Sequence, residues 1–239
     1  MNNENTGANK DGAGGEKLFS SFLFLKLDQS FRKLVSNEKI SLKQEFENIT
    51  GSCQEKLFLR TYSLLGLRAD CDMLFWRVSP DVETIQHNTA RMLSTGIGKY
   101  LLPVHSFLGI FTVPEQMKMR ERECGLVPKE LFGKYKFMLL HPILRSHSWH
   151  SLSVSDKKAM SDERAKVLTR YNRVIEQFFY SYGLDDQEML VIREAEKLED
   201  LAMASKELRE QRIKSYTLRD TPALLCVGTD LRDILDSLG

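Results

Sequence analysis

This chain of 239 residues predicts an α+β fold built from two tandem βαββαβ halves. Three observations carry that reading. A phrase occurs twice: Tyr62-Ser63-Leu64-Leu65-Gly66-Leu67 followed by Asp72-Met73-Leu74, and Tyr180-Ser181-Tyr182-Gly183-Leu184 followed by Glu188-Met189-Leu190. The echo continues downstream. Ile97 and Tyr100 lead into Phe107-Leu108-Gly109-Ile110, as Ile213 and Tyr216 lead into Leu224-Leu225-Cys226-Val227. Strand-like and helix-like segments also alternate in the same order in both halves. Two similar units that cannot each bury a face alone are expected to pack on one another, with antiparallel sheets together and helices outside.

In the first half, residues 17–112, the aromatic and apolar run Phe19 to Leu27 reads as a buried strand. A helix is expected from Leu42 to Ile49, opened by a Ser41/Gln44 capping box and burying Leu42, Phe46 and Ile49. Lys56 to Ser63 and Asp72 to Val78 read as neighbouring strands joined by a turn at Gly66. Ser79-Pro80-Asp81 predicts a helix start, with Ser79 as cap and Pro80 in the first turn. Val82, Ile85, Met92 and Leu93 form its buried stripe, Gly96-Ile97-Gly98 ends it, and Leu101 to Thr112 supplies the last strand.

Residues 113–134, with Pro114, Gly125, Pro128 and Gly133, read as a connector of the length often used for a functional loop. The second half, residues 135–239, repeats the order. Tyr135 to Leu144 is a strand, and a long helix over Asp156 to Ile175 presents Val167, Leu168, Tyr171, Val174 and Ile175 at helical spacing. Strands Phe178 to Tyr182 and Glu188 to Arg193 flank Gly183. A helix over Lys197 to Leu208, a strand from Tyr216 to Gly228 interrupted near Pro222, and a short terminal helix complete the chain. Each half thus has the ferredoxin-like order, and the long second-half helix is the natural wall of a pocket.

Composition narrows the function. A formal charge of +1 lacks the basic excess of a nucleic-acid binder, and the cluster Lys118-Met119-Arg120-Glu121-Arg122 is interrupted by acid. No apolar run reaches the ~18 residues of a membrane span. Residues 1–16 are polar and glycine-rich, the signature of a disordered tail and not of a signal peptide. Cys53, Cys71, Cys124 and Cys226 form no C-x-x-C pair, so neither a zinc site nor a disulfide framework is indicated. Cys71 and Cys226 read as small core residues, and the expected location is cytoplasmic.

The runs Leu59-Arg60-Thr61-Tyr62-Ser63, Gly66-Leu67-Arg68-Ala69-Asp70 and Phe75-Trp76-Arg77 resemble the first half of the chlorite dismutase and coproheme decarboxylase family. Gly183-Leu184-Asp185-Asp186-Gln187-Glu188 and Tyr216-Thr217-Leu218-Arg219-Asp220-Thr221-Pro222 resemble its second half. The likeness runs from Lys17 to the C-terminus. It implies paired ferredoxin-like halves, a homopentameric ring and a haem or coproheme pocket in the second half. It also implies peroxidase-like oxidoreductase chemistry, chlorite breakdown or coproheme decarboxylation.

The same resemblance implies an axial His on the long second-half helix. Here that place falls on Arg164 when counted from Trp149, or on Glu163 when counted back from Gly183. Arginine has no lone pair to give a metal. The distal position, an Arg in chlorite-degrading members and Gln in many decarboxylases, falls on Glu176 with Gln177 beside it. A carboxylate repels chlorite, so chlorite dismutation is not expected. The tyrosine that precedes a proline in the decarboxylases is replaced by His141 before Pro142, while the nearby basic residue and tryptophan survive as Arg145 and Trp149.

Two functions stand open on these residues. One is a haem-associated, peroxidase-like protein with altered axial chemistry, the iron held from an unusual side by His141 or His150. The other is a haem-free member acting as a binding or assembly scaffold for a protein partner. His141, His147 and His150 share no face that would make a metal site. Asp185 and Asp186 read as turn residues, and Glu210 as a surface residue.

Overall fold

β1 (Lys17–Leu27) is followed by α1 (Ser36–Cys53), β2 (Phe58–Ser63), β3 (Met73–Ser79), α2 (Val82–Leu93) and β4 (Leu101–Thr112). The second half runs β5 (Phe137–Arg145), the single turn α3 (His147–His150), α4 (Val154–Arg170), β6 (Val174–Tyr180), β7 (Met189–Ala195), α5 (Leu198–Arg209), β8 (Thr217–Arg219), β9 (Leu224–Gly228) and α6 (Leu231–Leu238). The structure is a computed structural model and describes residues 16–54, 56–113 and 129–239. The expected N-terminal tail and most of the 113–134 connector lie outside the described residues, as do Cys124 and the 118–122 cluster.

The first half orders its strands β4-β1-β3-β2 and the second β6-β7-β5-β9, the same ferredoxin-like permutation. The halves then join at both edges. Ile110 of β4 pairs with Tyr180 of β6, and Tyr62 and Ser63 of β2 pair with Gly228 and Val227 of β9. Eight antiparallel strands therefore close on themselves, with β8 added beside the end of β5. Closure removes free sheet edges.

Alternate residues of every strand point into the barrel. Its interior is aromatic, with Trp76 stacked on Phe22 at 5.3 Å and edge-on to Phe58, Phe132 and Phe179. Trp76 Nε1 donates to Ser20 Oγ at 2.8 Å, which satisfies its polar atom inside the core. Cys71 and Cys226 are fully buried in the same cluster, as expected of small core residues. Asp185 accepts the Leu108 N–H at 3.2 Å and Ser181 Oγ donates to the Leu108 carbonyl at 2.6 Å, so the Gly183 turn ties one half to the other.

On the outer face of the first half, α1, α2 and α6 bury Phe46, Met92, Ile234 and Leu235 against Phe75 and Leu25. The terminal helix α6 thus leaves the half that precedes it. Arg232 pairs with Glu47, and Arg32 reaches the Leu238 carbonyl. The outer face of the second half is filled more thinly. Val174, Ala195, Leu201 and Ala204 form one small cluster and Ile143, Met189 and Val191 another. The gap between them is the cleft described below.

Several element limits differ from the sequence expectation. α1 begins at Ser36, behind a Val35 that gives no side-chain cap, so Ser41 and Gln44 lie inside the helix and not at its start. Residues 36–40 contain no breaker and simply extend it. Asp81, not Ser79, caps α2: its Oδ1 accepts the Thr84 N–H at 2.6 Å while Ser79 remains in β3. The long helix stops at Arg170, where Tyr171 N–H reaches back to the Leu168 carbonyl. Val174 and Ile175 open β6 instead, because β-branched residues suit a strand and their helical spacing is coincidental.

Candidate functional site

Leu139, His141, Ile143 and Arg145 of β5 and Val191 and Arg193 of β7 share the outward face of their strands, by the two-residue alternation of the sheet. Glu176, Phe178 and Tyr180 do the same on β6. α4 lies over this surface and presents Ser161, Arg164, Ala165 and Leu168, spaced three and four apart on one helix face. Its start is fixed by Ser153, whose Oγ accepts the Asp156 N–H at 3.1 Å. α5 supplies Ser205, Leu208 and Arg209, and the turn at 212–216 supplies Ile213 and Lys214. Between these elements lie two cavities, one of about 230 Å³ around His141 and Arg193, and one of about 360 Å³ around Trp149, Phe178 and Tyr182.

Arg164 lines both cavities, as do Arg145 and Ile213. Its Nε and Nη2 donate to the two oxygens of Glu176 at 2.7 and 2.5 Å, and Arg193 Nε donates to Glu176 Oε1 at 2.7 Å. The Glu176 side chain is only 3% exposed, so this is a buried triad. Burial alone would raise the Glu176 pKa, but the two guanidinium groups outweigh it and hold the carboxyl below its ordinary value.

His141 is buried, with Nδ1–H directed at the Asp220 carbonyl 3.3 Å away. Desolvation, reinforced by repulsion from Arg193, lowers its pKa to about 4, so the imidazole is neutral. Arg145 is also buried. Its Nη1 donates to Thr217 Oγ1 at 2.8 Å and to the Ile213 carbonyl at 3.2 Å, and its guanidinium lies 4.8 Å from the centre of the Trp149 ring. Burial lowers the Arg145 pKa, with repulsion from Arg164 adding to it.

The sequence-derived candidates are thus distributed unevenly. His141, Arg145, Trp149, Arg164 and Glu176 meet around the cleft. Glu163 lines neither cavity: it turns outward to Arg212, at 2.5 Å, on the surface. Gln177 points to the other side of β6, where its Nε2 donates to the Leu131 carbonyl at 2.8 Å. His150 bonds Glu188 at 2.8 Å beside the cleft, and Asp185 serves the turn described above. Sequence reasoning missed Arg193, Ser205, Arg209 and Lys214. For Arg193 a signal existed, because Arg77 stands at the same distance after Met73 as Arg193 does after Met189.

A sequence model of the family described as Chlorite dismutase matches residues 39–229. The chain is therefore a chlorite dismutase-family protein, of a class of haem-binding, peroxidase-like oxidoreductases. Coproheme decarboxylase from Mycolicibacterium smegmatis is 25% identical over 164 residues, covering 67% of this chain and 68% of that protein. Among solved structures, a mutant chlorite dismutase from Candidatus Nitrospira defluvii superposes with a TM-score of 0.81 at 21% identity, covering 92% of this chain and 95% of that one. Chlorite dismutase from that organism in complex with imidazole gives 0.81 at 20% identity, covering 95% and 96%. These structural likenesses establish the shared fold.

Haem iron needs an axial lone pair on one side and room for the macrocycle. The α4 side chain that crosses the cleft is Arg164, a permanent cation without a lone pair. It reaches Glu176 on the opposite wall directly, and two groups hydrogen-bonded at 2.5 and 2.7 Å leave no space for a porphyrin between them. The residues present do not fit haem ligated from this helix. Among the described residues, no three His, Cys, Asp or Glu stand together as a metal site, and no helix is long and apolar enough to cross a membrane.

Proposed function

We propose that this chain is a haem-independent member of its family, a binding protein that uses the second-half cleft without iron chemistry. The Arg164–Glu176–Arg193 triad carries the reading. It joins the helix wall to the sheet wall where axial chemistry would need both to be apart. Catalytic positions of the family are degenerate here, with His141 and Glu176 offering neither a phenol nor a distal cation. The test is spectroscopic. Purified protein mixed with haem, and separately with coproheme, is expected to give the spectrum of the free cofactor. A Soret band of ligated haem would refute the reading.

A second reading rests on His141. Its Nδ1–H points at the Asp220 carbonyl, which leaves Nε2 as the lone-pair nitrogen of a neutral imidazole beside the 230 Å³ cavity. Iron held from the sheet side would use that atom. A ligated spectrum that disappears in His141→Ala would establish it, and one that persists would remove it.

The assembly we propose is a homo-oligomer, a ring of five by family resemblance. In support, Tyr180, Tyr182 and Leu184 are exposed at the β6–β7 turn, and Leu218 is exposed on β8, whose Arg219 reaches the Asp186 carbonyl of that turn at 3.5 Å. Sedimentation at micromolar concentration tests it, and a monomer would refute it. The proposed location is cytoplasmic, in keeping with Cys53, Cys71 and Cys226 all being free thiols.

A further inference from the structure

The 230 Å³ cavity has an unbalanced charge. Arg145, Arg164, Arg193, Arg209 and Lys214 line it. Among the described residues three carboxylates stand against these five cations: Glu176, shared by Arg164 and Arg193; Asp220, paired with Lys214; and Glu188, which accepts the Arg145 backbone N–H at 3.2 Å and whose charge acts on its guanidinium. Two of the cations are more than nine-tenths buried yet keep free donors. Arg193 is 7% exposed and uses only Nε among the described residues, its terminal nitrogens keeping contact with solvent without a protein partner. Arg145 is 8% exposed, and its Nε is unpartnered. Ser205 Oγ, buried in the same lining, is unpartnered too. Buried donors left unpaired are costly, and Arg145 Nε and Ser205 Oγ standing unpaired in one lining, beside the free donors of Arg193, point to acceptors brought by a ligand.

We infer that this cavity binds a compact organic carboxylate, its carboxylate held by the guanidinium groups of Arg193 and Arg145 and its hydrocarbon body resting on Leu139, Val191 and Leu208. The flat two-donor edge of arginine matches a carboxylate, and the apolar wall favours an organic acid over a bare inorganic anion. A volume of 230 Å³ lies below the ~300–1,000 Å³ of pockets for drug-sized ligands, so the acid is small. The inference rests on the haem-independent reading above.

Calorimetric titration of the full chain at neutral pH tests it, with phenylacetate, its neutral amide and inorganic phosphate as probes, alongside a haem titration followed at the Soret band. Phenylacetate is expected to bind, the amide at least about tenfold more weakly, and phosphate more weakly than the acid. Arg193→Gln, made together with Glu176→Gln to keep the pair neutral, should lose at least about tenfold in affinity. Ser205→Ala, which disturbs no charge, should weaken binding about two- to tenfold and guards against a misfolded double variant. Equal affinity for acid and amide, tighter binding of phosphate, or unchanged affinity in both variants overturns the carboxylate site. No heat with the acid and no ligated Soret band overturns the carboxylate site alone. A ligated Soret band overturns the haem-independent reading whatever the acid does.

Discussion

Arg164 on α4 and Glu176 on β6 form a two-pronged ion pair, 2.7 and 2.5 Å long, and Arg193 completes it from β7. The carboxylate is the only negative group of the triad and is buried. Glu176→Gln would leave two buried guanidinium groups facing one another. The expected loss is about 3–5 kcal/mol, the range for breaking a buried ion pair from one side. The triple variant Arg164→Met, Glu176→Leu and Arg193→Met should restore most of it, since apolar packing avoids the desolvation penalty. Urea unfolding of the single and triple variants measures both.

Acid sensitivity follows from His141. Its pKa is near 6.5 in the unfolded chain and about 4 in the fold. Between those values the unfolded state holds the extra proton, so its contribution is complete above pH 6.5 and disappears as pH falls toward 4. At about 1.4 kcal/mol per unit, the loss is on the order of 3 kcal/mol. Glu176, whose pKa is lowered, adds a second loss at still lower pH as it protonates. Urea midpoints at pH 7 and pH 5 should differ, and His141→Gln should flatten that difference. An unchanged pH dependence in His141→Gln would locate the sensitivity elsewhere.

The duplicated phrase makes the two halves legible because each copy repeats the turn and strand residues that a ferredoxin-like unit needs. Barrel closure is not legible. It depends on Ile110 meeting Tyr180 and Tyr62 meeting Gly228, pairings between distant residues that leave no local pattern. The cleft is legible in part. His141, Arg145, Trp149, Arg164 and Glu176 can be placed by family resemblance, whereas Glu163 and Gln177 differ from their neighbours only in which way the backbone turns them. The end of α4 escapes the sequence because Val174 and Ile175 fit a helical period and a strand equally well.

The seam between halves depends on a small residue. A Cβ built on Gly109 would lie 2.8 Å from Phe179 Cβ and 3.3 Å from its backbone, at the point where β4 meets β6. Gly109→Ala should therefore cost about 1–3 kcal/mol through overpacking. Gly51, inside α1 with nothing within 4 Å of its missing Cβ, is the control. Gly51→Ala should stabilise by about 0.5–1 kcal/mol. Thermal denaturation of the pair gives opposite signs if the seam packs as described.

Arg77 and Arg193 hold corresponding places in β3 and β7, yet the two halves satisfy them differently. Arg77 is 2% exposed and among the described residues bonds only neutral groups: Ser21 Oγ at 2.9 Å, Asn88 Oδ1 at 3.1 Å, Thr89 Oγ1 at 2.5 Å and the Ile85 carbonyl at 3.5 Å. Burial lowers its pKa to about 10, so it stays charged at neutral pH. Arg77→Met removes that charge and leaves only neutral hydroxyl, amide and carbonyl groups behind, at about 1–3 kcal/mol. Glu176→Gln, which strands two charges in the other half, should be the more damaging at about 3–5 kcal/mol. Urea unfolding at pH 7 ranks the two variants. If Arg77→Met proves the worse, the buried charge in the first half has a partner beyond these neutral ones, and the contrast between the halves fails.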